Sequence, residues 1–171
     1  PIFRFEKFTG MHPALVFLYD PPPKLEWLEI LDAAPRITVR GSRLAPLKNL
    51  RNLWVTSMNW DREAIAWLGR RKQMEMLKVA AIRCDPDALA ESLQKMLRNS
   101  KSTMEIFEVT NMAAKPAKWL SEVPARIYGL DLCYLGLTDE HLALLPESMP
   151  RLKFCAVNGN ELSAKGVETL L

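Results

Sequence analysis

A block with apolar residues at positions 1, 4, 6 and 11, counted from its first residue, occurs six times along this 171-residue chain. Counted at position 6, the steps from Val55 onward are 24, 30, 23 and 25 residues, whereas the step from Val39 to Val55 is only 16. Positions 4 and 6 are two residues apart, which is the spacing of side chains on one face of a strand. A period of about 20–30 residues indicates stacked repeats. The six blocks begin at Ala34, Leu50, Met74, Met104, Ile127 and Leu152.

Helix-start signals follow most of these strands. Asp85 is a good N-cap and Pro86 occupies the favoured first helical position, ahead of leucines at helical spacing. Asp61 opens a similar run, and Thr138 and Ser163 predict helices over 139–145 and 164–171. Because neighbouring parallel strands need a crossover between them, this alternation predicts an α/β fold with a parallel sheet.

Two of the helix-entry segments carry a family resemblance. Residues 137–145 (LTDEHLALL) and 160–170 (NELSAKGVETL) resemble leucine-rich repeats of the ribonuclease-inhibitor type. Asn160 matches the asparagine that this subtype carries two residues before the position-11 leucine. The resemblance covers residues 34–171 and implies a short solenoid of five or six units, with the parallel sheet on its concave side, the helices on its convex side, and protein binding on the concave face. The equivalent residues of the earlier blocks do not match: Met58, Ile82, Met112 and Leu135.

The first 33 residues fit the repeat poorly and are expected to form an N-terminal capping segment. Residues 2–8 alternate well enough to predict a strand, and residues 25–32 predict a short amphipathic helix after the Pro21–Pro23 break. A stack of repeats must cover its first apolar edge. We therefore expect a cap over residues 1–33 and repeats over residues 34–171.

The two ends of the chain suggest a role inside an assembly. The sequence begins at Pro1 without an initiator methionine, and Leu170 and Leu171 end it inside the last predicted helix. Either further residues follow this apolar edge, or another subunit covers it.

Composition narrows the class of protein. Apolar residues make up 49% and charged residues 25% of the chain, which is a normal globular balance. The longest uncharged apolar stretches, such as 15–19, are far shorter than the roughly 20 residues of a membrane helix. Three cysteines without a close pair favour a reducing intracellular compartment over a secreted disulfide scaffold.

The residues available for catalysis are few, and we do not predict an enzyme. His12 precedes a proline and His141 falls in the first turn of a predicted helix, and neither belongs to a metal-ligand motif. No glycine-rich phosphate loop is present, so neither a cofactor nor a metal is predicted. Among the thiols, Cys84 and Cys155 occupy inward positions, whereas Cys133 is expected to be the most accessible.

The candidate binding surface follows from the repeat. Strand side chains alternate, so positions 3 and 5 of each block face the concave side, where Thr38 also falls at a position 5. Aromatic and methionine side chains in such places are typical interface anchors. The predicted protein-binding residues are Arg36, Trp54, Met76, Lys78, Ile106, Glu108, Tyr128, Asp131, Tyr134 and Phe154.

Charge is graded along the chain, although the net charge is only +3. Residues 1–85 carry 14 basic and 9 acidic residues, and residues 86–171 carry 9 and 11. Such a bipolar surface suits an oriented protein partner. The basic part alone would also suit RNA or an anionic membrane, but it lacks the stacking aromatics of a dedicated RNA binder. The residues of this part are Arg36, Arg40, Arg43, Lys48 and Arg51; Arg70, Arg71 and Lys72 are expected to form a solvated turn.

These observations predict a non-catalytic protein-binding module, preferably a structural or assembly subunit of a larger complex. Small repeat proteins of this kind occur in mitochondrial complexes, so a mitochondrial location is one expectation. The alternative is the leucine-rich-repeat substrate-receptor domain of an F-box ubiquitin ligase. Other protein subunits are the expected partners, through the concave face and the C-terminal edge, and nucleic acid is not.

Overall fold

The computed structural model describes residues 2–6, 22, 24–31, 38–112, 117–168 and 170. Its main sheet has seven strands, which are hydrogen-bonded in chain order and parallel at every described pairing. A second sheet pairs β3 (Thr38–Val39) with β5 (Asn59–Trp60). The main sheet runs through β1 (Ile2–Glu6), β2 (Trp27–Leu31), β4 (Asn52–Thr56), β6 (Met76–Ala80), β7 (Ile106–Thr110), β8 (Gly129–Asp131) and β9 (Phe154–Ala156).

Helices alternate with these strands, which confirms the predicted α/β class with a parallel sheet. Asp61 and Asp85 cap their helices through side-chain oxygens, and Thr138 begins a helix that is shorter than predicted. None of the helices in the described ranges has the length and apolar character needed to cross a membrane. The helices are α1 (Gly41–Leu44), α2 (Arg62–Gly69), α3 (Pro86–Asn99), α4 (Ala117–Leu120), α5 (Asp139–Leu142) and α6 (Ala164–Glu168).

The strand register corrects the first repeat block. Ile30 of β2 pairs with Val55 of β4, so the step between these strands is 25 residues instead of the predicted 16. The helix predicted over residues 25–32 is wrong, because β2 occupies this place and has strand neighbours on both sides. Thr38 is also not beside Trp54 as predicted, since it pairs with Asn59 in the second sheet.

The N-terminal strand prediction is confirmed by β1, which continues the main sheet beside β2. The predicted boundary at residue 33 falls between β2 and β3. Since the two strands before this boundary share the main sheet, the capping role of residues 1–33 stays a prediction.

One face of the sheet and the helices form a single apolar core. Positions 4 and 6 of the central strands are buried, as the repeat predicts: Leu53, Val55, Leu77, Val79, Phe107, Val109 and Leu130. The Phe107 ring meets Trp119 of α4 edge-on, with 5.5 Å between the ring centroids. Burial of a large apolar side chain contributes about 1.5–3 kcal/mol, so this layer of strands and helices is the main stabilising element.

The same turn follows the strands β4, β6, β7, β8 and β9. The residue at position 8 adopts a left-handed conformation in each case, with φ between 51° and 68°. In the first four turns its N–H donates to the position-7 carbonyl of the next strand, at 2.9–3.1 Å. A backbone hydrogen bond therefore helps to close each of these four turns, and the Asn160 amide adds further bonds in the turn after β8. The position-8 residues are Ser57, Ala81, Asn111, Tyr134 and Gly159.

The asparagine that the resemblance implies is present in the last block, at Asn160. Asn160 donates to the carbonyls of Leu132 and Val157 and accepts the N–H groups of Leu135 and Leu137. Apolar side chains occupy the equivalent position in earlier blocks and are buried in the core. These are Met58, Ile82, Met112 and Leu135.

Candidate protein-binding surface

The face of the sheet opposite the core, called here the open face, carries a continuous row of predicted residues. Trp54, Lys78, Glu108 and Asp131 are successive register partners on β4, β6, β7 and β8. All four are half-buried, in contrast to the fully buried residues on either side of them. The predicted Arg36 lies outside the described residues.

Contacts within this row hold its charged side chains in place. The Lys78 Nζ lies 2.8 Å from a Glu108 carboxylate oxygen and 4.9 Å from the centroid of the Trp54 ring. The Lys78 and Glu108 side chains are each only about a fifth exposed. The Lys78 cation therefore partly covers Trp54, whose ring is less exposed than the sequence predicts.

The acidic end of the row has a structural contact of its own. One Asp131 carboxylate oxygen accepts the N–H of Cys133 at 3.0 Å. This bond closes the chain just after β8 and fixes the carboxylate beside the open face. Asp131 thus presents a negative charge to a partner from a position set by the backbone.

A second row on the same face is more apolar. Met76, Ile106, Gly129 and Phe154 are successive register partners from β6 to β9. Met76 is only 5% exposed, so the expectation that it is an exposed contact is wrong, and its neighbours cover it. A Cβ on Gly129 would meet only the Ile106 side chain, at 3.7 Å. Gly129 is itself buried, so the exposed apolar side chain of this row is Phe154.

Large aromatic side chains are exposed at the β8–β9 end of the sheet. Tyr128 precedes β8, Tyr134 follows it, and Phe154 begins β9. Their exposed fractions are 49%, 62% and 48%. The Tyr134 ring lies against Gly159, where an added Cβ would come within 2.2 Å of the ring. We call these three residues the aromatic patch.

One member of the charged row was missed by the sequence analysis. Glu29 is the β2 register partner of Trp54, and it is only 6% exposed. The Trp27 indole N–H donates to its carboxylate at 2.7 Å. Trp27 and Glu29 alternate with the apolar Leu28 and Ile30, which indicates a strand. The helix interpretation of residues 25–32 missed this signal.

Of the two histidines, the structure describes His141, which caps a helix. His141 caps α5, because its Nδ1 accepts the backbone N–H of Thr138 at 3.0 Å and lies 3.0 Å from the Thr138 hydroxyl. His12 is outside the described residues. No group of three or more histidine, cysteine or acidic residues in the described part of the chain is arranged to hold a metal ion.

The thiols differ from their predicted order of accessibility. Cys133 is buried and Cys155 is exposed, which reverses the expectation for both. Cys155 lies on β9, which has one strand neighbour among the described residues and so leaves this inward position uncovered. Cys84 is half-buried against the core, as expected. Burial raises the pKa of Cys84 and of Cys133 to about 11, which keeps both protonated at neutral pH.

The open face can bind by burying aromatic rings and by pairing its fixed charges with those of a partner. Its exposed aromatic residues lie beside β8 and on β9, and its half-buried ion pair joins β6 to β7. The face therefore offers two different kinds of contact. No protein-family model matches the chain, and a search of curated proteins finds no match.

Proposed function

We propose that the chain is a short leucine-rich-repeat arc that binds another protein through its open face, as a structural or assembly subunit of a larger complex. The observation that carries this proposal is the aromatic patch. Three large rings that are about half exposed are costly for a chain alone, and such rings are typical binding anchors.

The repeat architecture is supported by recurring local structure. The main strands follow one another in steps of 23–30 residues, and the strands from β4 onward end in the same left-handed turn. Side-chain N-caps then begin α2 and α3, and the Ser163 hydroxyl accepts the N–H of Gly166 at the start of α6. Stacking such units gives a parallel sheet with helices on one side, and curvature would make the open face concave.

The partner suited to this face is a protein surface with exposed apolar side chains. Tyr128, Tyr134 and Phe154 are about half exposed and would bury their rings against such side chains. The fixed Lys78–Glu108 pair and the Asp131 carboxylate lie in the adjacent row and would set the orientation of the partner.

A matched pair of double variants tests this proposal. Tyr128→Ala/Phe154→Ala removes two rings of the aromatic patch. Leu144→Ala/Val167→Ala removes two exposed apolar side chains, one from the turn after α5 and one from α6, with exposures of 39% and 38%. Each anchor is expected to contribute about 2 kcal/mol, so the first variant should weaken partner binding by at least about 30-fold, and the control should not.

The measurement is native size after gentle extraction of the tagged full chain, with cross-linking mass spectrometry of the co-migrating proteins. We expect the chain to migrate within a large assembly, with cross-links near the aromatic patch, and the Tyr128→Ala/Phe154→Ala variant to be released as a free chain of 19.5 kDa. A wild-type chain that migrates alone, or equal retention of both variants in the assembly, would contradict the proposal.

A further inference from the structure

A cleft at the end of the main sheet where the strands begin brings together basic residues from two separate loops. The cleft has a volume of about 280 Å³. Lys48 and Arg51 come from the segment between α1 and β4, and the run 70–72 comes from the segment between α2 and β6. Five cationic side chains therefore line the cleft, against the single carboxylate of Glu26: Lys48, Arg51, Arg70, Arg71 and Lys72.

Arg71 joins the two loops and is the fixed element of the cleft. Its Nη1 donates to the Leu47 carbonyl at 2.9 Å, and its guanidinium carbon lies 4.6 Å from the centroid of the buried Trp67 ring. Two residues later in the same loop, the backbone N–H of Gln73 donates a hydrogen bond to the Ser100 hydroxyl. The basic loops are thus held at a set separation before any ligand binds.

The positive charges of the cleft are only partly neutralised. Arg51 pairs with Glu75 at 2.7 Å, but within the described ranges no ion pair involves Lys48, Arg70 or Lys72. Burial and, as a smaller cause, the charge of Arg70 lower the pKa of Arg71, and like charges lining one cleft repel one another. A bound anion would relieve this repulsion.

We propose that the cleft binds a phosphate monoester, carried either by a small soluble molecule or by a phosphorylated side chain of a partner protein. A phosphate dianion matches several converging cations and the fork of an arginine better than a single carboxylate does. Among the described residues no aromatic side chain lines the cleft, and these residues do not provide the stacking surface of a single-stranded RNA site. Its one large apolar lining residue, Leu50, is buried, which does not suit membrane insertion.

This site is separate from the open face, so it extends the proposed function and does not depend on it. The cleft lies at the start of the strands and is formed by loops, whereas the aromatic patch surrounds β8 and β9. A variant of the aromatic patch should therefore bind phosphate esters as the wild type does.

The test is isothermal titration calorimetry of the full chain with O-phosphoserine and with a short peptide that contains one phosphoserine. The unphosphorylated peptide, an aspartate-substituted peptide and a single-stranded RNA oligonucleotide serve as comparisons. Arg70→Gln/Lys72→Gln removes two exposed cations of the cleft, and Arg83→Gln/Arg151→Gln removes two exposed cations elsewhere. All titrations are repeated at higher salt.

We expect the phosphorylated probes to bind, with an affinity that falls as salt rises. Arg70→Gln/Lys72→Gln should weaken binding by about 10-fold or more, and the control pair by less than about 2-fold. Equal affinity for O-phosphoserine and for the phosphopeptide would support a small-molecule ligand, and much tighter peptide binding would support a phosphorylated partner.

Three results would overturn the proposal. The first is the absence of binding of either phosphorylated probe at millimolar concentration. The second is equal weakening by the cleft variant and its control, which would indicate general charge attraction. The third is binding of the aspartate peptide or of the RNA as tight as that of the phosphopeptide, which would assign the cleft to a different ligand.

Discussion

The position-8 residue in the turns after β4, β6, β7, β8 and β9 adopts a conformation that most side chains avoid. Ala81, at φ 52°, is the simplest case, because it has a Cβ and no polar group with which to stabilise the left-handed region. The left-handed conformation costs an L-residue about 1–2 kcal/mol, whereas glycine adopts it freely. Its N–H bond to the Thr110 carbonyl, at 3.1 Å, maintains the turn despite this cost.

We therefore predict that Ala81→Gly leaves stability unchanged or raises it by up to about 1 kcal/mol. The control is Ala80→Gly, one residue earlier, where the backbone belongs to strand β6. Glycine within a strand should lower stability by about 0.5–1 kcal/mol. Urea denaturation of both variants measures the difference, and an equal loss in both would show that Ala81 is not in the left-handed turn.

At this scale the sequence predicts the core better than the surface. The alternation of the sequence predicts that Leu53, Val55 and Leu77 point inward. They are buried, because the two-residue period of a strand places them on the core face. The thiols show the limit of this rule. Cys155 has an inward position but lies on a strand with one described neighbour, and the exposure of a side chain depends on what covers it.

At the scale of elements, Ser100 connects the end of α3 to the segment that leads into β6. It is fully buried, and its hydroxyl accepts the backbone N–H groups of Gln73 and Met74 at 3.2 and 3.0 Å. Without this oxygen, two backbone donors in a buried region would have no acceptor. The contact joins two consecutive helix-to-strand segments across the stack.

Ser100→Ala is predicted to lower the free energy of unfolding by about 1–3 kcal/mol. The matched control is Ser92→Ala, a buried serine inside α3, where alanine has a higher helix propensity and little change is expected. Thermal and urea unfolding of the two variants give the comparison. If Ser100→Ala is as stable as Ser92→Ala, the Ser100 hydroxyl does not tie the two segments together.

The wrong prediction for β2 also belongs to this scale. Leu25 and Leu28 have a spacing of three residues, which fits one face of a helix, but this is also the spacing of positions 1 and 4 in each repeat block. A short segment of this kind takes the structure that its neighbours support. Here β1 and β4 supply hydrogen-bond partners on both sides, and the strand results.

At the scale of the whole molecule, the sequence predicts the parallel α/β order because each strand and helix carries its own signal. It does not predict which charged residues meet. Arg51 and Arg70 belong to different loops, and nothing in the sequence predicts that they are close. The stacking of successive loops places both in one cleft. Such a site depends on contacts between repeats, which no local pattern contains.

The proposed repeat stack makes a final prediction about how a local defect spreads. In a stack each unit contacts only its neighbours, so the loss of packing in one unit should leave distant units protected. Leu130 in β8 is fully buried, and Leu130→Ala should cost about 2–5 kcal/mol. Amide hydrogen exchange, followed by mass spectrometry, should become faster in β7, β8 and β9 while β2 and β4 stay as protected as in the wild type.

The matched variant is Leu53→Ala in β4, which is at the equivalent position in an earlier unit and only 1% exposed. It should produce the opposite pattern, with faster exchange in β2, β4 and β6 and little change in β9 relative to wild type. The pair controls for overall loss of stability, since both substitutions remove the same buried group. If each variant instead accelerated exchange equally along the whole sheet, the chain would unfold as one cooperative body. The regular strand spacing and turns would then be features of the fold alone, and the stability would be shared by the whole sheet.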